Sequence, residues 1–162
     1  MATYAPETRN RFMAVCLSEP GCLRPGSSVL VWTEEGQVSV HVRETGQRFG
    51  TNEAFFTTVG VVLTLQEWRK LGERRDELTQ RADDYNRYET LDLPPYQDIE
   101  LSDETSASVH VFEYQSASVR LAKFIRTAPG DKCQQISLHS NHWRRLMRSW
   151  VDVEKLIEEA ST

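Results

Sequence analysis

An internal repeat constrains the fold of this chain more than any other feature of its sequence. The quartet "SVHV" of residues 39–42 recurs unchanged at residues 108–111, and aligning the quartets matches residues 29–45 with residues 98–114 without a gap. In both copies an acidic, polar turn separates two segments in which apolar and polar residues alternate. Because this is the pattern of a β-hairpin, the repeat predicts two similar β-rich units in one chain.

A helix is predicted at the end of each unit. The segment "WRKL" of residues 68–71 returns as "WRRL" at residues 143–146, and both lie within apolar stripes at helical spacing. Thr64 and Glu67 predict a capping box at the start of the first helix, because a threonine hydroxyl and a carboxylate three residues later can bond each other's backbone N–H groups. Ser140 is the predicted cap of the second helix.

The alignment of the two helices leaves six more residues in the second copy than the strand alignment allows. We place these residues between Tyr114 and Ile136, in a longer connection between two strands, because insertions collect in loops. A second register is also open, in which residues 109–124 themselves form the first hairpin of the second unit. That register would move residues 109–114 one strand earlier.

The predicted fold class is α+β, with two tandem units of antiparallel strands, each followed by one α-helix. A unit of about 60 residues cannot bury its helix alone, so we expect the units to pack as an intramolecular pseudo-dimer with their helices together. The boundaries are an N-terminal lead-in at residues 1–27 with a candidate strand in "RFMAVCL", a first unit at 28–82, a linker at 83–96 that contains Pro94-Pro95, and a second unit at 97–162.

Composition and charge narrow the class of protein. The apolar content of 39% is enough for a packed core, and the net charge of −5 argues against a surface covered with phosphate-binding groups. No apolar run approaches the roughly 20 residues that span a bilayer, and no signal-like leader opens the chain. We expect a soluble intracellular protein whose cysteines, Cys16, Cys22 and Cys133, are free thiols.

No catalytic or metal-ligating constellation stands out. His139, His142 and Cys133 are close in sequence, but a fourth ligand at a usual spacing is missing. The glycines fit no phosphate-binding loop, and no serine lies in a nucleophile elbow. We therefore expect a protein that is not an enzyme and that holds neither a metal nor a cofactor.

Two segments of the first unit resemble the positive cofactor four family of transcriptional coactivators. These are "VSVHVRE" at residues 38–44 and "GVVLTLQEW" at residues 60–68, and the second unit keeps Ile136, Leu138 and Trp143 at similar places. The resemblance implies binding of single-stranded DNA, a nuclear location, and units that pair through their helices while curved sheets face the nucleic acid. The turn aromatics typical of the family are replaced here by Glu34 and Asp103.

Strand alternation separates the residues that could contact a ligand from those that face the helix. In the first unit Val38, Val40 and Val42 point toward the helix. Basic and aromatic residues then occupy the open faces, which is the combination that single-strand binders use for phosphates and bases. The predicted nucleic-acid-binding residues are His41, Arg43, Arg48, Phe55, His110, Phe112, Tyr114, Arg120, Lys123, Phe124, Arg126 and Lys132.

The sequence thus predicts a non-catalytic protein that binds single-stranded nucleic acid in transcription or DNA maintenance. DNA is the favoured ligand and RNA the alternative, because stacking and phosphate contacts do not report the sugar. Expected partners are this nucleic acid and proteins of the transcription machinery, with no membrane, and the chain is either a monomeric pseudo-dimer or a homodimer. The competing hypothesis is a protein-interaction or structural module that keeps the fold without the ligand.

Overall fold

The computed structural model describes residues 11–17, 26–47, 54–87, 97–111, 117–127 and 130–161, and it confirms the α+β class. Two four-stranded antiparallel sheets are each followed by one helix. The first half contains β1 (Arg11–Cys16), β2 (Gly26–Glu34), β3 (Gln37–Gln47), β4 (Ala54–Thr64) and α1 (Leu65–Arg87). The second half contains β5 (Ile99–Glu100), β6 (Thr105–Val111), β7 (Ala117–Thr127), β8 (Gly130–His139) and α2 (Ser140–Ala160).

The first sheet is a meander in which each strand pairs with the next one along the chain. The candidate strand of the lead-in is confirmed as β1, which pairs with β2 and so belongs to the first sheet. The predicted acidic turn joins β2 to β3 through Glu35 and Gly36, which have positive φ angles of 51° and 81°. Positive φ at both central residues is what a tight two-residue hairpin turn requires, and glycine adopts it without a steric cost.

The second sheet corrects the predicted alignment of the repeat. Both sheets have the same strand order, and in that order residues 39–42 lie on the third strand of the first sheet whereas residues 108–111 lie on the second strand of the other. The counterpart of β3 is therefore β7, and the open alternative, in which residues 109–124 carry a hairpin, is the register found. The predicted location of the six extra residues is wrong, because the connection between the last two strands is longer in the first half.

The two helices begin in different ways. At α1 the predicted capping box is confirmed: the Thr64 N–H donates to Glu67 Oε1 at 2.9 Å, and the Glu67 N–H donates to Thr64 Oγ1 at 3.1 Å. At α2 the predicted Ser140 cap is wrong. The capping position is His139, whose side chain makes no capping hydrogen bond, and the buried Ser140 hydroxyl donates instead to the carbonyl of Ala117 at 2.8 Å.

The hydrophobic core lies between the sheets and the helices, and each helix covers both sheets. Helix α1 contacts β3 and β4 of its own half and also β6 and β7, while α2 contacts β7 and β8 and also β1 and β2. Trp68 and Trp143 are fully buried, and Trp68 stacks on Trp150 with ring centroids 3.9 Å apart. Gly72 makes room for Trp150, because a Cβ atom there would lie 3.0 Å from the indole Cζ2.

The contacts between the halves are reciprocal. The Trp68 indole donates to Glu154 Oε1 at 3.2 Å, and the Trp143 indole donates to Thr79 Oγ1 at 2.9 Å. When the helices are aligned on these two tryptophans, Thr79 and Glu154 occupy the same position. Each half therefore anchors its buried tryptophan on the other half's helix in the same way.

Candidate functional site

Each sheet has one face on the core and an opposite face, called the open face below, that is exposed in part: Leu30, which pairs with His41 on that face of the first sheet, is only 3% exposed. On β3 the predicted alternation is confirmed: Val40 and Val42 are buried in the core, while His41 and Arg43 are only partly buried and lie on the opposite face. The Ser39 hydroxyl lies 3.2 Å from His41 Nε2, and an Arg43 guanidinium nitrogen lies 3.4 Å from His41 Nδ1. The imidazole also stacks on Trp32 of β2, with centroids 5.5 Å apart.

The environment of His41 keeps its imidazole neutral. Burial, followed by the positive charge of Arg43, lowers the pKa of His41 from 6.5 to about 4. At physiological pH this ring therefore offers hydrogen bonds and a stacking surface to a ligand, and no positive charge.

The first part of β4 carries two exposed phenylalanines of the first sheet. Phe55 and Phe56 are 41% and 42% exposed and, as neighbours on one strand, point to opposite faces. Phe56 pairs with Thr45 and lies on the face of His41 and Arg43, whereas Phe55 pairs with Gly46 and lies on the reverse face, so its predicted place on the open face is wrong. The Phe55 ring lies across Gly46, where an added Cβ would come within 2.9 Å of Cζ. Gly46 thus lets the ring lie close against the backbone of β3. Arg43 donates to the backbone carbonyl of Thr57 at 3.4 Å, so its guanidinium lies near the same part of β4. The predicted Arg48 lies outside the described residues.

The second sheet presents a basic and aromatic row along β7. Arg120, Phe124 and Arg126 alternate onto the open face as predicted, and Phe124 is 43% exposed. Arg120 pairs across the sheet with Ser108 and Ser137, and its buried Nε has no hydrogen-bond partner in the part of the chain that the structure describes. The structure thus brings the three predicted β7 residues onto one face.

His110 lies beside this row on β6. Its Nε2 is 2.7 Å from the Ser108 hydroxyl, and burial lowers its pKa, with Arg120 acting in the same direction and Asp98 in the opposite one. His110 therefore also favours the neutral state. The predicted Phe112 and Tyr114 lie outside the described ranges.

Two predicted lysines do not lie on the open face. Lys123 is nearly buried on the core side of β7, and its ammonium is 2.9 Å from Glu67 Oε1 and 2.9 Å from the carbonyl oxygen of Val62. Its predicted place on the open face is wrong, because its position between Leu121 and Ile125 on the apolar side of the strand turns it inward. Lys132 is exposed but pairs with Ile125, so it lies on the reverse side of the β7–β8 hairpin from Phe124.

Within the described ranges, no three histidine, cysteine, aspartate or glutamate side chains are grouped so that they could hold a metal ion. Cys133 is exposed as a free thiol and is the cross-strand neighbour of Phe124. None of the described helices is long and apolar enough to cross a membrane.

Comparisons with known proteins assign no family to this chain. No protein-family profile matches it, and no curated protein does. A solved structure described as "Structure of a guideRNA-binding protein complex bound to a gRNA" has a chain that is 10% identical, with a TM-score of 0.40, over 93% of this chain and 94% of that chain. A TM-score of 0.40 does not establish a shared fold.

Proposed function

We propose that this chain is a non-catalytic protein that binds single-stranded nucleic acid on the open faces of its two sheets. The observation that carries the proposal is the outward row of β7, where the exposed Phe124 ring lies between Arg120 and Arg126. A nucleobase stacked on an aromatic ring contributes about 1–3 kcal/mol, and arginines follow the phosphates on either side.

The dimensions of this row suit a short length of single strand. Alternate residues of a strand are about 6.6 Å apart, so Arg120 and Arg126 are separated by roughly 20 Å. The Nε of Arg120 is a buried donor with no partner among the described residues. That atom is inaccessible to a ligand, but the Arg120 side chain as a whole is only partly buried, so a phosphate can approach the rest of its guanidinium and accept charge-assisted hydrogen bonds.

The first sheet supplies a second set of groups of the same kind. Arg43 lies beside the Trp32–His41 stack, and Phe56 is exposed on the same face of the neighbouring strand. Neutral imidazole and aromatic faces favour contact with bases more than with phosphates. This half therefore adds stacking, whereas the second half adds more of the charge.

We further propose that the two halves form a fused tandem pseudo-dimer. The support is the common strand order of the sheets and the reciprocal bonds of Trp68 and Trp143. The resemblance to the positive cofactor four family favours DNA as the ligand, a nuclear location and a role in transcription or DNA maintenance, with RNA as the alternative ligand. Whether the chain acts alone or as a homodimer is testable by light scattering.

Fluorescence anisotropy with labelled oligo-dT and oligo-U at low salt tests this function. Phe124→Ala should weaken binding by about 5-fold to 100-fold, because one stacking contact is lost. Arg126→Ala should make the dependence of log K on log salt shallower by about 0.7, which is the contribution of one phosphate contact on a single strand. Arg148→Ala, an exposed arginine of α2, is the matched control and should change neither quantity.

A protein-interaction or structural module is the second candidate. The net charge of −5 and the exposed acidic residues of two turns, Glu34, Glu35, Asp103 and Glu104, favour it, because they repel a phosphate backbone that passes near them. Absence of oligonucleotide binding at micromolar protein would support this module and reject nucleic-acid binding.

A further inference from the structure

The two sheets meet side by side at β4 and β8, and the described residues of these strands form no hydrogen-bonded ladder with each other. Val62 of β4 is bonded there by two side chains of the second half. Its N–H donates to Gln134 Oε1 at 3.0 Å, and its carbonyl accepts from the Lys123 ammonium at 2.9 Å. The edge groups of β4 at this point are therefore occupied by side chains, which fix where the second sheet lies.

Lys123 connects this contact between the two sheets, called the seam below, to the start of α1. Its ammonium is 2.9 Å from Glu67, a residue only 3% exposed, whose carboxylate also accepts from Ser102 at 2.6 Å and from the Thr105 hydroxyl. Lys123, Ser102 and Thr105 belong to the second half, whereas Glu67 directly follows β4 in the first. One buried carboxylate thus bonds three residues of the opposite half, on β6, on β7 and in the turn before β6.

The Glu67 carboxylate is ionised at neutral pH. Burial alone would raise its pKa, but hydrogen bonds from Ser102, Thr105, the Thr64 N–H and Lys123 lower it to about 2. A buried ion pair adds little net stability compared with apolar side chains of similar size, because both charges must lose their water. The ion pair forms only when its two side chains meet at a short distance and in a suitable orientation. This suits a role in fixing the position of one half relative to the other.

The seam lies directly behind the proposed ligand surface. Lys123 and Phe124 are adjacent on β7 and so point to opposite faces of the sheet. Glu67 is the third residue of α1, the helix that follows the strand carrying Phe56. A rigid bond between Lys123 and Glu67 therefore relates the stacking residues of one sheet to those of the other.

We infer that Glu67 and Lys123 are positioning residues that hold the two open faces in one fixed relation, so that a single strand of nucleic acid engages both. This inference rests on the proposed function. When two linked sites have a fixed separation, the second contact becomes intramolecular and the affinity for a ligand that reaches both can rise by a factor of about 100 to 10,000. A loose seam would remove part of that gain without changing either site.

The test compares a short and a long oligo-dT on the full chain. Site sizes of about 4–16 nucleotides are usual for one binding unit of a single-strand binder, so about 6 nucleotides engage one face and about 24 reach both. The wild-type protein should bind the long strand at least about 100-fold more tightly than the short one. Glu67→Gln should leave the short-strand affinity unchanged and weaken the long-strand affinity by about 10-fold.

The sign of this effect separates positioning from direct electrostatics. Glu67→Gln removes a negative charge, which by itself would strengthen phosphate binding by strands of both lengths. Glu77→Gln is the matched control, since Glu77 lies on the same helix, half-exposed, and pairs within that helix with Arg74 and Arg81, each at 2.6 Å. It should leave the ratio of long-strand to short-strand affinity unchanged.

Gln134→Ala covers the case in which Glu67→Gln does not fold, because it removes the bond to Val62 without altering any charge. It should also lower the affinity for the long strand alone. An equal effect on both lengths, or no effect of either variant, would overturn the positioning role while leaving the binding function standing. A wild-type protein that binds neither oligonucleotide would reject the proposed function, and this inference would fall with it.

Discussion

At the scale of single residues, Glu67 is the side chain whose protonation should matter most to folding. Its pKa is lowered from 4.5 to about 2, so the folded state holds this carboxylate ionised where the unfolded chain would protonate it. The resulting stability is fully present above about pH 4.5 and is lost as the pH falls toward 2. Its size is about 3 kcal/mol, at 1.36 kcal/mol for each unit of pKa difference.

We predict that Glu67→Gln lowers the free energy of unfolding at pH 7 by about this amount and removes part of its pH dependence below pH 4.5. Denaturant unfolding of both proteins from pH 2 to pH 7 measures it. The two curves should converge toward the acid end, because the wild-type carboxylate loses its charge there. Parallel curves over the whole range would contradict the assigned pKa.

For Lys123 the sequence predicts the face of the strand but not the partner of the side chain. Its charge favours the ligand surface, but its place in the alternation of β7 puts it on the core side. The ion pair that makes this burial possible joins residues on different halves, and it depends on where α1 packs against β7. The local sequence pattern does not predict how α1 packs against β7. The stack of His41 on Trp32 likewise depends on the register of β2 against β3.

At the scale of elements, the start of α1 was the most predictable feature, because a capping box is a local contact. We predict that Thr64→Ala lowers the free energy of unfolding by about 1 kcal/mol, through loss of the bond from the Glu67 N–H to the threonine hydroxyl. Thr58→Ala, at an exposed position on β4, is the control and should change stability by less than about 0.5 kcal/mol. Equal unfolding midpoints for Thr64→Ala and wild type would show that the cap contributes nothing.

The strands show what periodicity can and cannot predict. A period of two assigned Val40 and Val42 to the core and His41 to the open face, because a side chain's face depends only on its own strand. The same period misaligned the two copies of the "SVHV" quartet, since an alternating tetrapeptide carries no information about which strand of a sheet it occupies. Strand order comes from long-range pairing, and the composition of the strands does not encode it locally.

At the scale of the whole molecule, the reciprocal packing of two halves follows from size. A unit of about 60 residues buries too little apolar surface to stand alone, and here each helix covers strands of the opposite half. The same arrangement leaves both open faces clear of the helices, since the side chains that face the core come from the opposite side of each strand. The proposed ligand binding therefore belongs to the sheets, while the helices form part of the core.

The chemical shifts of backbone amides, followed during titration with an oligo-dT of about 12 nucleotides, test this placement most directly. We predict that the shifts change for residues 120–126 of β7 and for His41 and Arg43 of β3. The shifts of the exposed positions of α2 around Arg148 and Val151 should stay unchanged. Changes confined to the helices, or no changes at all at saturating oligonucleotide, would contradict it.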